Sequence, residues 1–430
     1  MRQRIIKFLE TLHLRIFGHE MSQTMRQFLS NLSWSFFGVI LSAFILFVVN
    51  VVAGRLLGPT DFGRYNLVFN IASFSAVFIA LGFDSTALRF ISAAKDKNRI
   101  NHLVSNSLIA VGVISVIYFL FGLILRPLVA GWLNTTVMLV TMAVVYSVIY
   151  TFRNLSDGLT KAMQLFKRQA MVKIVESIIV LTIILVCFFV LKQRFYYNYV
   201  FALIVGGLAT VGLYIYPLRK YLGSWQKDAF DLTKNYQKIA VFVGFIGITI
   251  ATIDKFFVAK FLGAAQLGLY SAYLVTSTAV ISQLVVLANN VFFPMVNQVE
   301  DKKQIMKKID QLAKFMFLPI IIFSALISFV VIKIFGAAYE INWIYIALVS
   351  LIAFGQVLIG FYGSIIASSE NYLRFNAKIY YFKPVFIGGL YFLAYFCHYF
   401  NLYSIILIVL SSYIFDYINT KITIAYIKEE

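Results

Sequence analysis

The chain has 430 residues, of which 61% are apolar, 17% aromatic and only 13% charged, and it carries a formal net charge of +19. A soluble domain has roughly 25% charged residues, so this composition excludes a soluble fold and makes the bilayer the relevant solvent. The positive charge is scattered over short segments and never forms one basic stripe, which excludes nucleic acid as a partner.

Residues 1–30 precede the apolar runs. Within them Ile5, Phe8, Leu9, Leu12 and Ile16 recur at helical spacing, with Arg4, Lys7, Glu10 and Arg15 between. That pattern reads either as an amphipathic helix lying on the membrane surface or as a leader upstream of a start at Met21 or Met25. Twelve spans are then predicted, at 31–57, 66–93, 103–125, 128–152, 174–191, 197–218, 237–262, 267–294, 312–335, 341–368, 379–397 and 401–427. Each approaches the roughly 20 residues a helix needs to cross hydrocarbon, and none alternates as a strand barrel would. The predicted fold class is an all-α integral membrane protein.

Cytoplasmic loops retain Lys and Arg. With the N-terminus placed inside, 29 of the 37 basic residues fall on inner segments and seven on outer ones: Arg55, Arg64, Arg126, Lys192, Arg194, Lys260 and Lys333. Lys255 alone lies within a span. Arg153 and Lys383 count among the inner loop residues. The alternation puts both termini in the cytoplasm of a multi-pass protein of the cell membrane.

Leu57-Gly58 through Gly63-Arg64-Tyr65 and Leu262-Gly263 through Gly268-Leu269-Tyr270 share the pattern L-G-x4-G-x-Y at an offset of 205. Each copy joins the first two spans of its half. The chain therefore divides into two six-helix lobes, 31–235 and 236–430, and an even number of helices per lobe makes the repeats parallel. Glycine in the motif supplies positive φ or a close backbone approach at a tight turn, and Tyr65 and Tyr270 are expected as interfacial anchors.

Cys187 and Cys397 lie far apart in apolar runs and read as packing residues. His13, His19, His102 and His398 show no metal-ligand spacing. No phosphate-binding glycine loop is present, so an ATP-driven pump is unsupported.

The stretch Ala53–Tyr65, with Leu81-Gly82-Phe83 and Leu88-Arg89-Phe90-Ile91 after it, resembles the start of polysaccharide transport family flippases, within the multidrug/oligosaccharidyl-lipid/polysaccharide exporter superfamily. Asp254-Lys255-Phe256 through Tyr273 is similar to the acidic-basic pair and turn that open the second half in that family. The resemblance covers nearly the whole chain, apart from the N-terminal extension. It implies a flippase moving a polyprenyl-diphosphate-linked oligosaccharide from the inner to the outer leaflet by alternating access, with no covalent chemistry and no cofactor. The partners implied are that glycan lipid, membrane lipids, a coupling proton or sodium ion and a glycan polymerase. A cation-coupled multidrug exporter of the same fold, a lipid II flippase and a transport-inactive scaffold are the alternatives. Lipid II flippases usually have fourteen spans, and a drug exporter favours an acidic cavity, whereas the acids within spans here are mainly Asp84, Asp254 and Asp416.

Ionisable groups inside a membrane are costly and mark candidate sites. Lys255 and Arg89 are candidates for the diphosphate, the former otherwise making an interhelical salt bridge or snorkelling outward and the latter otherwise anchoring at the inner surface. Arg55 and Arg64 lie at the outer side, for release of the anionic head or for solvent. Asp254 and Asp416 are the candidate ion-coupling residues, and Ser412, Asp416 and Thr420 share one helix face. Asp254 and Lys255, adjacent on a helix, point about 100° apart and are not expected to pair face to face. Two stripes, Asn66-Asn70-Phe74 and Tyr146-Tyr150-Asn154, together with Gln283, Asn289 and Asn290, are candidates for lining a sugar path, with Asn70 and Tyr150 at their centres.

Overall fold

A computed structural model describes residues 23–426, except Lys95 and most of 276–301, with side chains from Gly38 onwards. The expected surface segment within residues 1–20, and Gln283, Asn289 and Asn290, lie outside the described residues. The described residues form helices and no strand. In chain order these are α1 (Gln23–Ala80), α2 (Phe83–Ala93), α3 (Lys97–Trp132), α4 (Val137–Ala162), α5 (Phe166–Leu185), α6 (Tyr196–Leu218), α7 (Lys227–Phe257), α8 (Gly263–Leu274), α9 (Lys302–Phe335), α10 (Trp343–Ala367), α11 (Glu370–Tyr380), α12 (Lys383–Phe396) and α13 (Leu402–Tyr426).

Among the described residues ten continuous helices are long and apolar enough to cross a membrane, against the twelve spans expected. Two of the ten are Gly38–Ala80, with 43 residues, and Lys227–Leu274, with 48. At 1.5 Å per residue they would run about 65 and 72 Å, more than twice a hydrocarbon core of roughly 30 Å. Both contain a break, at Gly58 and Gly263, so each holds an expected first span and the start of an expected second.

Other boundaries differ for identifiable reasons. The expected span 66–93 is two helices, because Leu81 and Gly82 adopt φ of 40° and 72°. The expected turn near residue 127 is absent: α3 runs through Pro127 to Trp132, and Thr136 caps α4 by accepting from the Leu139 amide. Helix α4 then continues to Ala162, well past the expected end at 152. Arg153 is therefore a helical, part-buried residue and not an inner-loop cation. Hydropathy closes such a span early because it does not register that polar residues can be satisfied by charges on the neighbouring helix.

Helix α1 packs against α4, α5 and α6, and also against α7 and α8. Tyr65 and Tyr199 stack at 4.0 Å between centroids in this core, beside buried Phe62, Leu139 and Phe188. A second group forms where α10 packs on α9 and α13, with α11 and α12 also on α13. Outward-facing Ile124, Leu128, Phe315 and Phe392 are more than half exposed, a surface that only lipid can cover.

The repeated motif becomes a repeated geometry. Gly58 has φ 69°, ψ 173° and Gly263 has φ 86°, ψ 174°, a region essentially reserved for glycine. The second glycine of each copy does different work. A Cβ on Gly63 would fall 1.8 Å from the Ala264 carbonyl oxygen, and one on Gly268 would fall 1.8 Å from that of Pro59, so the two hairpins clasp each other reciprocally. Around this clasp Phe62 meets Phe335 edge-on, Tyr339 donates to the Gly54 carbonyl at 2.9 Å, and Asn134 donates to the Lys260 carbonyl at 3.1 Å. The motif tyrosines are not interfacial anchors. Tyr65 and Tyr270 are 6% and 0% exposed, drawn inward by polar partners, Asn50 and Asp254, that lie before the glycine break.

Candidate functional site

Helices α7, α10, α12 and α13, with the ends of α8 and α11, line a cavity of about 320 Å³. Both predicted ion-coupling residues line it, together with Lys255, Gln356, Lys383 and Ser412. Asp254 is 3% exposed and accepts a hydrogen bond from the Tyr270 hydroxyl. Lys255 donates to both Asp254 carboxylate oxygens at 3.0 Å and to the Ala251 carbonyl at 2.7 Å. The two neighbours do pair, against expectation, because the flexible lysine stem bends back where a shorter side chain would not reach. On the facing wall, Lys383 donates to Asp416 at 2.8 and 2.7 Å, with the two side chains only 4% and 16% exposed.

Sequence placed Lys383 among inner-loop cations, where it should have been solvated. It instead opens α12 beside Pro384, and burial makes a carboxylate partner obligatory. The available signal was a lysine bordering an apolar run opposite an unpaired Asp416. Of the polar face Ser412-Asp416-Thr420, the first two line the cavity while Thr420 is buried away from it.

The same joint exists in the first half without charge. Tyr65 and Tyr199 both direct their hydroxyls to the Asn50 amide oxygen, at 3.5 and 3.1 Å. Asn50 precedes its tyrosine by 15 residues and Asp254 precedes Tyr270 by 16. One copy thus anchors its motif tyrosine on an amide and the other on a carboxylate.

A second ionic cluster joins α4, α5 and α6. Arg153 pairs with Glu176 at 2.5 Å. Asp157 accepts from Gln169 at 2.7 Å and Tyr214 at 3.0 Å and pairs with Lys161 at 2.8 Å and Lys173 at 3.6 Å. Sequence reasoning missed it, although Glu176 lies inside the expected span 174–191 and was legible there as a membrane carboxylate. Beside the cluster, Ser73, Asp84, Tyr150, Asn154 and Gly244 line a cavity of about 220 Å³ between α1, α2, α4 and α7.

The remaining candidates disperse. Arg89 is exposed and lies 4.5 Å over the Tyr236 ring, where α2 meets α7. Arg55 is exposed at the hairpin end and reaches the Ile334 carbonyl at 3.4 Å. Asn70 is buried and its amide bonds the Asn66 carbonyl at 2.7 Å, so it satisfies its own helix and lines neither cavity. Tyr150 does line the smaller cavity. Cys187 is buried, as expected of a packing residue, whereas Cys397 is exposed. Among the described residues no cluster of His, Cys, Asp and Glu is arranged to hold a metal.

Comparison with known proteins bears on this architecture at two levels. The profile of a family described as "Polysaccharide biosynthesis protein" matches residues 28–300. Among solved structures, an inward-facing multidrug resistance MATE family transporter of the MOP superfamily superposes with TM-score 0.65 at 14% identity, covering 87% of this chain and 94% of that one. A eukaryotic MATE transporter gives 0.63 at 12%, covering 93% and 96%, and a variant of a Vibrio cholerae MATE transporter gives 0.58 at 13%, with the same coverage. At such identities the likeness is one of fold. No curated protein is significantly similar to the chain.

Proposed function

Because the chain belongs to the polysaccharide biosynthesis protein family, we propose that it is a flippase carrying a polyprenyl-diphosphate-linked oligosaccharide from the inner to the outer leaflet of the cell membrane. Family and fold are those of membrane transporters rather than enzymes. The observation that carries the substrate class is the charged, polar cavity of about 320 Å³ among helices that otherwise bury apolar side chains. A glycan head and a diphosphate cannot cross hydrocarbon unaided, since each unsatisfied polar group costs several kcal/mol and an isolated charge far more. A polar path between helices replaces the lost hydration while the prenyl tail stays in lipid.

On this reading residues 31–235 and 236–430 are the two lobes, the termini are cytoplasmic and the hairpin clasp closes the outer side. Arg89, where α2 meets α7, meets the anionic head on entry, Tyr150 lines its way, and Arg55 beside the clasp assists its release. Lys255, held on Asp254, stands at the cavity wall beside the path of the head group. Asp254 and Asp416 serve as the ion-coupling carboxylates, each able to exchange its lysine for a proton or a sodium ion as the lobes rock. A glycan polymerase on the outer face is the natural consumer of the product.

Reconstitution into liposomes with a fluorescently labelled lipid-linked oligosaccharide tests this. Labelled lipid should become accessible at the opposite leaflet at least tenfold faster than in protein-free vesicles, and slower in the Asp416→Asn variant. Efflux of cationic drugs without movement of the glycan lipid would overturn the proposal in favour of a multidrug exporter.

A further inference from the structure

The cavity among α7, α10, α12 and α13 presents two ammonium groups and two carboxylates, and each ammonium already rests on its own carboxylate at 2.7–3.0 Å. Its wall is neutral overall. A phosphate entering here would have to draw a lysine away from its aspartate and leave that carboxylate buried without a counter-charge, which costs several kcal/mol. An uncharged ligand disturbs neither pair.

The wall still offers unused capacity of another kind. Tyr380, Tyr391, Tyr413 and Ser412 line the cavity, and their hydroxyls make no hydrogen bond among the described residues. On α10, Gln356 also lines it, and its Oε1 is buried with no hydrogen-bond partner. A half-turn of the amide exchanges acceptor and donor, so either end can serve a group that both gives and takes a hydrogen bond. A buried polar atom left unbonded costs about 1–3 kcal/mol, a deficit that a hydroxyl of a ligand, or a water it displaces, can recover. The complete charged set facing the space is Asp254 and Lys255 from α7, Lys383 from α12 and Asp416 from α13, with none from α10.

Three tyrosine rings, four free hydroxyls and one orphaned amide, within a neutral cavity at the small end of ligand pockets, match a ligand that is flat and apolar on its faces and hydroxylated around its rim. We propose that this cavity is a sugar subsite, taking one uncharged ring of the glycan head while the diphosphate remains outside it, and that Gln356 is a specificity-determining residue. The proposal rests on the flippase reading and narrows it to one part of the substrate. A site built around hydroxyl bonds rejects a ring lacking the matching hydroxyl far more strongly than an apolar pocket rejects a missing methylene.

The test uses the full chain in lipid nanodiscs and saturation-transfer difference NMR with a panel of neutral mono- and disaccharides, followed by competition with inorganic pyrophosphate. At least one sugar should show transfer to its ring protons, and pyrophosphate should not displace it. Gln356→Leu, which keeps the volume of the side chain, should weaken that sugar about tenfold or more, and Tyr413→Phe should weaken it severalfold. Both should keep the thermal transition of the wild type, and either variant binding more weakly with an unchanged transition supports the subsite. Absence of transfer to every sugar, displacement by pyrophosphate, or unaltered binding in both variants would overturn it. Glycan-lipid flipping by a protein that binds no sugar here sinks the subsite alone, whereas sugar binding without any flipping sinks the transport reading and leaves the subsite standing.

Discussion

Asp416 and Lys383 bury their charges against each other with 16% and 4% of their side chains exposed. Removing one partner leaves the other stranded, so Asp416→Asn should lower stability by about 3–5 kcal/mol, read as a fall in the thermal transition in detergent. The double variant Lys383→Met, Asp416→Leu removes both charges and should regain most of that loss, while glycan-lipid flipping should stay as slow as in the single variant. A double variant as unstable as the single one would show that the pair is not the source of the effect. Tyr270→Phe deletes a hydrogen bond to a carboxylate and should cost about 1.5–3 kcal/mol, against about 1 kcal/mol for Tyr65→Phe, whose partner is the neutral Asn50. At this scale Asp254 and Asp416 were legible because an acid in an apolar run stands out. Lys383 and Arg153 were not, since a cation at the border of a run is indistinguishable in sequence from one anchored at the membrane surface.

The hairpins show what a motif conveys and what it withholds. Its spacing and its offset of 205 revealed a repeat, and glycine's two possible uses were both apparent. Only packing reveals that Gly58 and Gly263 hold the backbone at positive φ while Gly63 and Gly268 admit a facing carbonyl. The two uses predict different defects. Gly58→Ala strains one helix break and should cost about 1–3 kcal/mol of thermal stability wherever the lobes stand. Gly63→Val and Gly268→Val should instead force the hairpins apart, because a Cβ 1.8 Å from an oxygen cannot be accommodated by side-chain rearrangement. In a background lacking Cys187 and Cys397, a short cross-linker should join Pro59→Cys to Ala264→Cys in the parent and lose most of that yield in either valine variant. Equal yields would mean that the clasp tolerates bulk. Helix ends such as that of α4 were misjudged for the reason that hides Arg153: the partners that satisfy a buried charge lie on a different helix.

For the whole molecule, the membrane was legible from composition and the helices from the length of the apolar runs, whereas transport was implied only by the family resemblance. The orientation inferred from basic residues has a direct check. Asn134→Cys, in the turn after α3, should react with an impermeant maleimide added to intact cells, and Lys227→Cys, at the start of α7, only after permeabilisation. The reverse pattern would invert the proposed topology and move the clasp to the cytoplasmic side.

If Asp254 couples to an ion as proposed, the amide at Asn50 and the carboxylate at Asp254 would give the two copies of the motif unequal responses. If both joints carried a titratable acid, a change in proton or cation occupancy would act on the two copies alike and the opposing displacements would largely cancel. With an amide in one copy, an ionic event at Asp254 would act on a single arm of a balanced lever. On the proposed ion-coupled reading, the divergence of one side chain would let a nearly symmetric body convert ion occupancy into relative motion.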